Sequence, residues 1–198
     1  LIKTLPNKSQ IFLDYAHTPE ALENAILSLQ EHFQKKITVL FGCGGERDQS
    51  KRKLMGKIAK KYSDKIYITD DNPRKESPKK IRKDIMKSLK GSDVKEIQDR
   101  KKAILYALNN SKPQEIILIA GKGHEDHQDL GKKRIFLSDK KIIQKFKSPK
   151  IFFNKKENIC KFNAEILKKV LKNNKNYFFD GVSINSKKIL NKNLFIAI

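Results

Sequence analysis

The sequence predicts an α/β domain with a mostly parallel, Rossmann-like sheet and helices on both faces, followed by a partial α+β module at its C-terminal end. Over residues 10–146, short runs rich in β-branched residues alternate with longer runs of helical periodicity. This alternation is typical of parallel strands joined by crossover helices. The strand runs are apolar at nearly every position, which indicates strands covered by helices on both sides.

Five runs predict parallel strands, and a sixth predicts a last strand. The five are residues 11–13, 37–41, 66–69, 94–97 and 116–120. Residues 135–137 would form the last strand, and residues 139–146 a closing helix. All of these runs are short, as buried strands usually are.

Between the strands, each predicted helix has an apolar stripe with a spacing of three or four residues. In chain order the stripes are Leu22, Ile26, Leu29 and Phe33; Leu54 and Ile58; Ile81, Ile85 and Leu89; and Ile104 and Leu108. Thr18 and Ser77 each precede a proline, which is the pattern of an N-cap followed by proline at the first helical position. Asp99 is suited to cap the helix that runs through Tyr106.

The composition excludes several classes of protein. The formal net charge is +22, but the lysines are spread through every predicted helix and loop and are interleaved with acidic residues. That distribution argues against a nucleic acid or an anionic membrane as the partner. Cys43 and Cys160 lie far apart in sequence and predict neither a disulfide nor a metal motif. No apolar stretch approaches the roughly 20 residues that a membrane helix needs, so we expect a cytoplasmic protein.

Polar, glycine-rich loops follow four of the predicted strands, at the end where open α/β sheets bind ligands. They read Asp14-Tyr15-Ala16-His17-Thr18-Pro19, Gly42-Cys43-Gly44-Gly45-Glu46-Arg47-Asp48, Asp70-Asp71-Asn72-Pro73-Arg74 and Gly121-Lys122-Gly123-His124-Glu125-Asp126. Any one of them is compatible with an ordinary turn. Four such loops at one edge, with Arg47, Arg74, Lys122, Glu125 and two histidines, predict a ligand site instead.

The residue types in these loops suit a small zwitterion. Arg47 and Arg74 each offer a planar guanidinium that can bind a carboxylate through two hydrogen bonds. Glu125 can accept a hydrogen bond from an ammonium group. Glycines allow a ligand to approach the backbone closely. Those expected to do so are Gly44, Gly45 and Gly121.

In this order and spacing, the four loops resemble the C-terminal domain of the Mur ligases, over about residues 1–146. The Asp71-Asn72-Pro73-Arg74 stretch resembles the motif by which some members select meso-diaminopimelate, because Arg74 would meet the distal carboxylate that lysine lacks. The resemblance implies a set of residues that bind diaminopimelate: Arg47, Asp71, Asn72, Arg74, Gly121 and Glu125. It also implies that Asp14 and His17 lie on the nucleotide side.

The activity that the resemblance implies is that of an ATP-dependent acid–amino-acid ligase. Such a ligase adds meso-diaminopimelate to UDP-N-acetylmuramoyl-L-alanyl-D-glutamate through an acyl phosphate, during peptidoglycan precursor synthesis. In the family, the P-loop and the Mg²⁺ ligands belong to a central domain, so ATP and Mg²⁺ are expected to bind mainly to an upstream ATPase domain of the same polypeptide. We therefore expect no catalytic residue, no metal site and no ligase turnover in this fragment alone. A folylpolyglutamate-type ligase and a non-catalytic amino-acid-binding module remain open as alternatives.

The remainder of the chain changes character. We predict an amino-acid-binding domain over residues 1–147, a lysine- and asparagine-rich linker over 148–162, and the truncated start of a second module over 163–198, with a helix at 164–171 and strands at 182–184 and 194–198. Residues 181–188 and 194–198 resemble the opening of the UDP-sugar-binding N-terminal domain of a Mur ligase, which implies a fused second ligase. Asn185, Lys187 and Asn193 stand where that family usually has Asp, Arg and Gly. A lysine-rich extension without a fold is the alternative.

Overall fold

The computed structural model describes residues 1–35 and 37–147 in full, together with the backbone of residues 181–183 and 193–195. The chain divides into two compact units, Leu1–Pro149 and Lys150–Ile198. In the second unit, Gly181–Ser183 (β9) pairs in parallel with Asn193–Phe195 (β10). The predicted linker and the helix at 164–171 lie outside the described residues, as does the rest of the expected second module.

A six-stranded sheet forms the centre of the first unit, in the order β1-β2-β6-β3-β4-β5. Its strands are β1 (Lys3–Thr4), β2 (Gln10–Leu13), β3 (Ile37–Phe41), β4 (Ser63–Ile68), β5 (Val94–Glu96) and β6 (Ile116–Ile119). The edge strand β1, which has two residues and was not predicted, runs antiparallel to β2, and the other pairs are parallel. The mostly parallel α/β sheet predicted from the sequence is therefore confirmed.

Helices cover both faces of this sheet, as predicted. They are α1 (Pro19–Phe33), α2 (Ser50–Tyr62), α3 (Pro78–Met86), α4 (Arg100–Asn109) and α5 (Asp139–Lys145). The first three pack on one face and the last two on the other. Successive strand residues point to opposite faces, so Val39 and Phe41 belong to the first core and Leu40 to the second.

The helix starts lie where the sequence places them. The hydroxyl of Thr18 accepts a hydrogen bond from the Ala21 N–H, and Ser77 caps α3 in the same way. The Asp99 carboxylate accepts from the Lys102 N–H at the start of α4. Each cap satisfies one of the amide donors that a helix leaves free in its first turn.

The predicted apolar stripe of α2 is wrong at Leu54, whose side chain is exposed. This helix instead buries Arg52, Met55, Gly56 and Ala59. The reason is that α2 lies close between α1 and α3. A Cβ added to Gly56 would lie 2.2 Å from the Ser88 hydroxyl, so small side chains form much of the contact face.

The last predicted strand does not join the main sheet. Arg134–Phe136 (β8) pairs antiparallel with His127–Asp129 (β7) in a separate two-stranded sheet. A parallel strand needs a crossover connection of roughly a dozen residues or more, usually a helix, whereas a hairpin needs only a short turn. The segment between β6 and β8 contains no helix, so the chain forms a hairpin there. Within the described residues, no helix is long and apolar enough to cross a membrane.

Candidate functional site

An open cavity of about 610 Å³ lies where the loops after β2, β3, β4 and β6 meet. All the residues expected to bind the amino acid line it: Arg47, Asp71, Asn72, Arg74, Gly121 and Glu125. Parallel strands place their carboxyl ends at one edge of the sheet, and this brings together loops that are far apart in sequence. A second cavity of about 630 Å³ shares Arg47, Asn72, Arg74 and Glu125, and it extends towards the β7–β8 hairpin.

Arg74 is held in an unusual backbone conformation at the cavity. Its φ angle is +50°, in the left-handed region that a branched or long side chain rarely adopts. Its N–H donates to the Asp129 carbonyl at 3.1 Å, and its Nη1 donates to the Gly45 carbonyl at 2.6 Å. The protein thus fixes both the backbone and one guanidinium nitrogen of Arg74. The remaining guanidinium donors are therefore held in a defined orientation.

The loop that carries Arg47 is joined to the loop that carries Arg74. The Gly45 N–H donates to the Asn72 carbonyl at 2.9 Å, and the Glu46 N–H donates to Oε1 of Glu76. Arg52, which is fully buried in α2, binds both carboxylate oxygens of Glu76 at 3.0 and 2.8 Å. Glu76 therefore links the two arginine-bearing loops to the first turn of α2.

Gly45 packs against the neighbouring loop and does not line the cavity, in contrast to the expectation from sequence. A Cβ at this position would lie 2.0 Å from the Pro73 carbonyl oxygen. Gly45 thus allows the two loops to approach each other closely. Gly44 does line the cavity, and a Cβ there would lie 2.9 Å from Nη1 of Arg74.

Glu125 is part of a hydrogen-bonded cluster with Asn72 and Lys122. Its Oε2 accepts from Asn72 Nδ2 at 2.9 Å and from Lys122 Nζ at 3.0 Å. Burial raises the pKa of Glu125, but the hydrogen bonds from Asn72 and Lys122 outweigh it and hold that pKa below its ordinary value. The carboxylate is consequently ionised at neutral pH and can receive a cation from the cavity.

Asp71 lies against a second buried cation, Arg100. Asp71 Oδ2 and Arg100 Nη1 are 3.8 Å apart, and within the described residues both atoms are buried without a hydrogen-bond partner. Gly121 packs on Asp71 with a φ angle of +109°, and a Cβ there would lie 2.7 Å from Oδ2. Only glycine fits this position, so Gly121 allows its loop to pack directly on the buried Asp71 oxygen.

Arg100 itself is paired with Asp139 across the domain. Arg100 Nε lies 3.0 Å from each Asp139 oxygen and Nη2 lies 2.7 Å from Oδ2, and neither side chain is exposed. Arg100 Nη2 also donates to the Ala120 carbonyl at 2.9 Å, directly before Gly121. Reasoning from sequence missed this pair, because a charged residue at a helix start is usually solvated.

Of the two residues expected on the nucleotide side, His17 lines the main cavity and Asp14 does not. His17 lines the main cavity beside Tyr15, Lys51 and Leu54, and its Nδ1 lies 2.9 Å from the Tyr15 carbonyl oxygen. Asp14 lies outside that cavity, where its Oδ1 accepts from the Ala16 N–H at 2.8 Å. Asp14 thus shapes its own turn, and its expected contact with a nucleotide stays a prediction.

No metal site is visible among residues 1–35 and 37–147: they contain no group of three or more His, Cys, Asp or Glu side chains placed to hold a metal ion. Cys43 is a packing residue. Burial raises the pKa of its thiol to about 12, and its Sγ lies 3.6 Å from Met55 Sδ. Cys160 lies outside the described residues.

The fold and the site define an α/β domain suited to a small molecule with carboxylate and ammonium groups. The chain belongs to the Mur ligase family, since residues 1–123 match the model described as "Mur ligase, glutamate ligase domain". The structure supports the same membership. It superposes with a TM-score of 0.65 and 36% identity on a solved UDP-N-acetylmuramoyl-L-alanyl-D-glutamate–2,6-diaminopimelate ligase, over 69% of this chain and 28% of that one.

Curated relatives carry the same name as that solved structure. The ligase of Buchnera aphidicola is 52% identical over 137 residues, which are 69% of this chain and 28% of the relative. The ligase of Rickettsia typhi is 49% identical over 140 residues, which are 70% of this chain and 28% of the relative. The chain thus spans less than a third of the length of these relatives. The expected second ligase module after residue 162 stays a prediction.

Proposed function

We propose that residues 1–147 bind meso-diaminopimelate and orient its amine in an ATP-dependent ligase that extends UDP-N-acetylmuramoyl-L-alanyl-D-glutamate. The observation that carries the proposal is the convergence of Arg47, Arg74 and Glu125 on one cavity. Two guanidinium groups and a carboxylate complement a molecule with two carboxylates and an ammonium group. The cavity volume also lies within the range of roughly 300–1,000 Å³ that small-molecule sites occupy.

Arg74 is the residue proposed to select diaminopimelate over lysine. Its backbone and Nη1 are held by the protein, so little conformational entropy is lost when the remaining donors bind a carboxylate. Lysine has no carboxylate at its side-chain end, and would leave the remaining donors of this partly buried guanidinium without an anionic partner. Asp71 and Asn72 of the same loop line the cavity beside it and are proposed to contact the same end of the ligand.

ATP and Mg²⁺ are proposed to bind mainly to an upstream domain of the same polypeptide, because the described residues lack the groups that hold phosphates and a metal ion. They offer no cluster of metal ligands, and Gly121-Lys122-Gly123-His124 lacks the remote glycine and the hydroxyl residue of a P-loop. The part of this chain is then to hold the attacking amine near the activated carboxyl group and to exclude water. We propose the cytoplasm as the location of this ligase.

Calorimetry on the 198-residue chain tests the binding proposal. We expect meso-diaminopimelate to bind at least about tenfold more tightly than L-lysine, since one charge-assisted bidentate contact is at stake. Arg74→Gln should abolish the difference, while Lys101→Gln, which removes one exposed positive charge from α4, should preserve it. Equal affinity for the two amino acids in the unmodified chain would contradict the proposal.

A graft tests whether the domain serves a ligase or a non-catalytic module. Residues 1–147 would replace the matching segment of the Buchnera aphidicola relative, and ATP consumption would be measured with the UDP-linked dipeptide. We expect turnover that depends on diaminopimelate in the graft and no turnover in the chain alone. Indifference to diaminopimelate would favour the non-catalytic module, and a response to glutamate instead would favour the folylpolyglutamate type.

A further inference from the structure

Lys122 is the most deeply buried amine at the site, although it does not line the main cavity. Its side chain is fully buried. The ammonium group has three N–H donors, and it has three acceptors: Glu125 Oε2 at 3.0 Å, Asn72 Oδ1 at 3.4 Å and the His127 carbonyl oxygen. A buried ammonium group is tolerated only with such partners.

The acceptors of Lys122 include two residues that line the main cavity, Asn72 and Glu125. Asn72 Oδ1 accepts from Lys122 and also from the Asp129 N–H at 3.0 Å, and this fixes which end of the amide points to Glu125. Asn72 Nδ2 then donates to the same Glu125 oxygen that Lys122 contacts. Within the described residues, both hydrogen bonds to the Glu125 carboxylate thus reach Oε2.

We propose that Lys122 is a positioning residue that orients Glu125 and Asn72 as a pair, and thereby makes the cavity specific for an ammonium-bearing ligand. The inference rests on the proposed function, because it assumes that Glu125 accepts the ligand's ammonium group. Lys122 reaches the ligand only through these two side chains. Without it, Glu125 would lose one of its two anchors, and Asn72 Oδ1 would lose one of the two donors that fix the orientation of its amide.

A comparison of two ligands separates positioning from a purely structural role. Pimelate has both carboxylates of diaminopimelate and neither amine, so it engages the arginines without using Glu125. In the unmodified chain, we expect calorimetry to show that diaminopimelate binds at least about tenfold more tightly than pimelate. One charge-assisted hydrogen bond to Glu125 accounts for a difference of this size. In Lys122→Met, the ratio of the two affinities should fall towards one, while the affinity for pimelate stays unchanged.

Two matched variants complete the test. Lys101→Met, at an exposed site on α4, should keep the ratio of the unmodified chain. Lys122→Arg, which keeps the charge, should retain part of the preference. If Lys122→Met weakens both ligands equally, or changes neither, the positioning role is wrong and the proposed function stands. If the unmodified chain does not bind diaminopimelate at all, the proposed function fails and the inference fails with it.

The unmodified chain gives a second measurement in case Lys122→Met does not fold. The ¹⁵N resonance of the Lys122 ammonium group should be visible, because burial slows its exchange with water. It should shift when diaminopimelate is added and remain in place with pimelate, since only the former adds a charge to Glu125. Equal shifts with both ligands, or none with either while diaminopimelate binds, would overturn the role of Lys122.

Discussion

The buried ion pair between Arg100 and Asp139 makes Asp139→Ala a strongly destabilising substitution. The Asp139 carboxylate accepts from Arg100 Nε at 3.0 Å and from Nη2 at 2.7 Å, and both side chains are fully buried. Removing the anion takes away every hydrogen bond between Arg100 and a carboxylate, and leaves the buried guanidinium with Asp71, 3.8 Å away, as a weaker counter-ion. Such a change costs about 3–5 kcal/mol, which is a large fraction of the roughly 5–15 kcal/mol that holds a domain folded.

Urea denaturation of the 198-residue chain, followed by far-ultraviolet circular dichroism, measures this cost. With a urea dependence of about 2 kcal/mol per molar, the midpoint should fall by about 2 M. The control is Asp126→Ala, because the Asp126 side chain is half-exposed and pairs with the exposed His127. A surface pair of this kind contributes about 0–1 kcal/mol, so the midpoint should move little.

The paired replacement Arg100→Met with Asp139→Leu separates the cost of an unpaired charge from the net contribution of the ion pair. Exchanging both partners for apolar residues is often close to neutral, so this variant should be more stable than Asp139→Ala. It still loses the hydrogen bond to the Ala120 carbonyl. The reasoning is refuted if Asp139→Ala costs less than about 1 kcal/mol, or if the paired variant is as unstable as the single one.

Three further predictions concern pH, thiol reactivity and the site glycine. Burial raises the pKa of Glu76, but the hydrogen bonds from Arg52 and from a backbone N–H hold it below its ordinary value of 4.5. This stabilisation is present above about pH 4.5, and it is lost as the pH falls through the lower pKa that Glu76 has in the folded protein. The difference in melting temperature between the unmodified chain and Glu76→Gln should therefore become smaller below that pH. In a Cys160→Ser variant, Cys43 should resist iodoacetamide at pH 8 until urea unfolds the domain, because burial raises its pKa to about 12; rapid labelling of the folded protein would contradict this. Gly121→Ala should weaken diaminopimelate binding at least about tenfold in calorimetry, because φ is +109° and the added Cβ would lie 2.7 Å from a carboxylate oxygen. Unchanged affinity would show that the loop relaxes freely.

Much of the fold follows from interactions that are local in sequence. The strand runs, the helical stripes and the caps at Thr18, Ser77 and Asp99 depend on neighbours within a turn or two, and the structure has them in place. The failures are positions where a distant element decides the outcome. Leu54 matches a helical stripe, but the approach of α1 and α3 determines which face of α2 is buried. The last strand joins a hairpin because no crossover helix precedes it.

The candidate site divides in the same way. Parallel strands end at one edge of a sheet, so the sequence alone predicts which loops meet. It also predicts that Arg47, Arg74 and Glu125 share a cavity. The burial of Lys122 and Arg100 could not be predicted in this way. A charged side chain is buried only when other groups replace its water, and the tertiary structure brings Asn72 to Lys122 and Asp139 to Arg100. The sequence by itself thus determined the chemistry presented to a ligand, while the packing of distant loops decided which charges hold that chemistry in place.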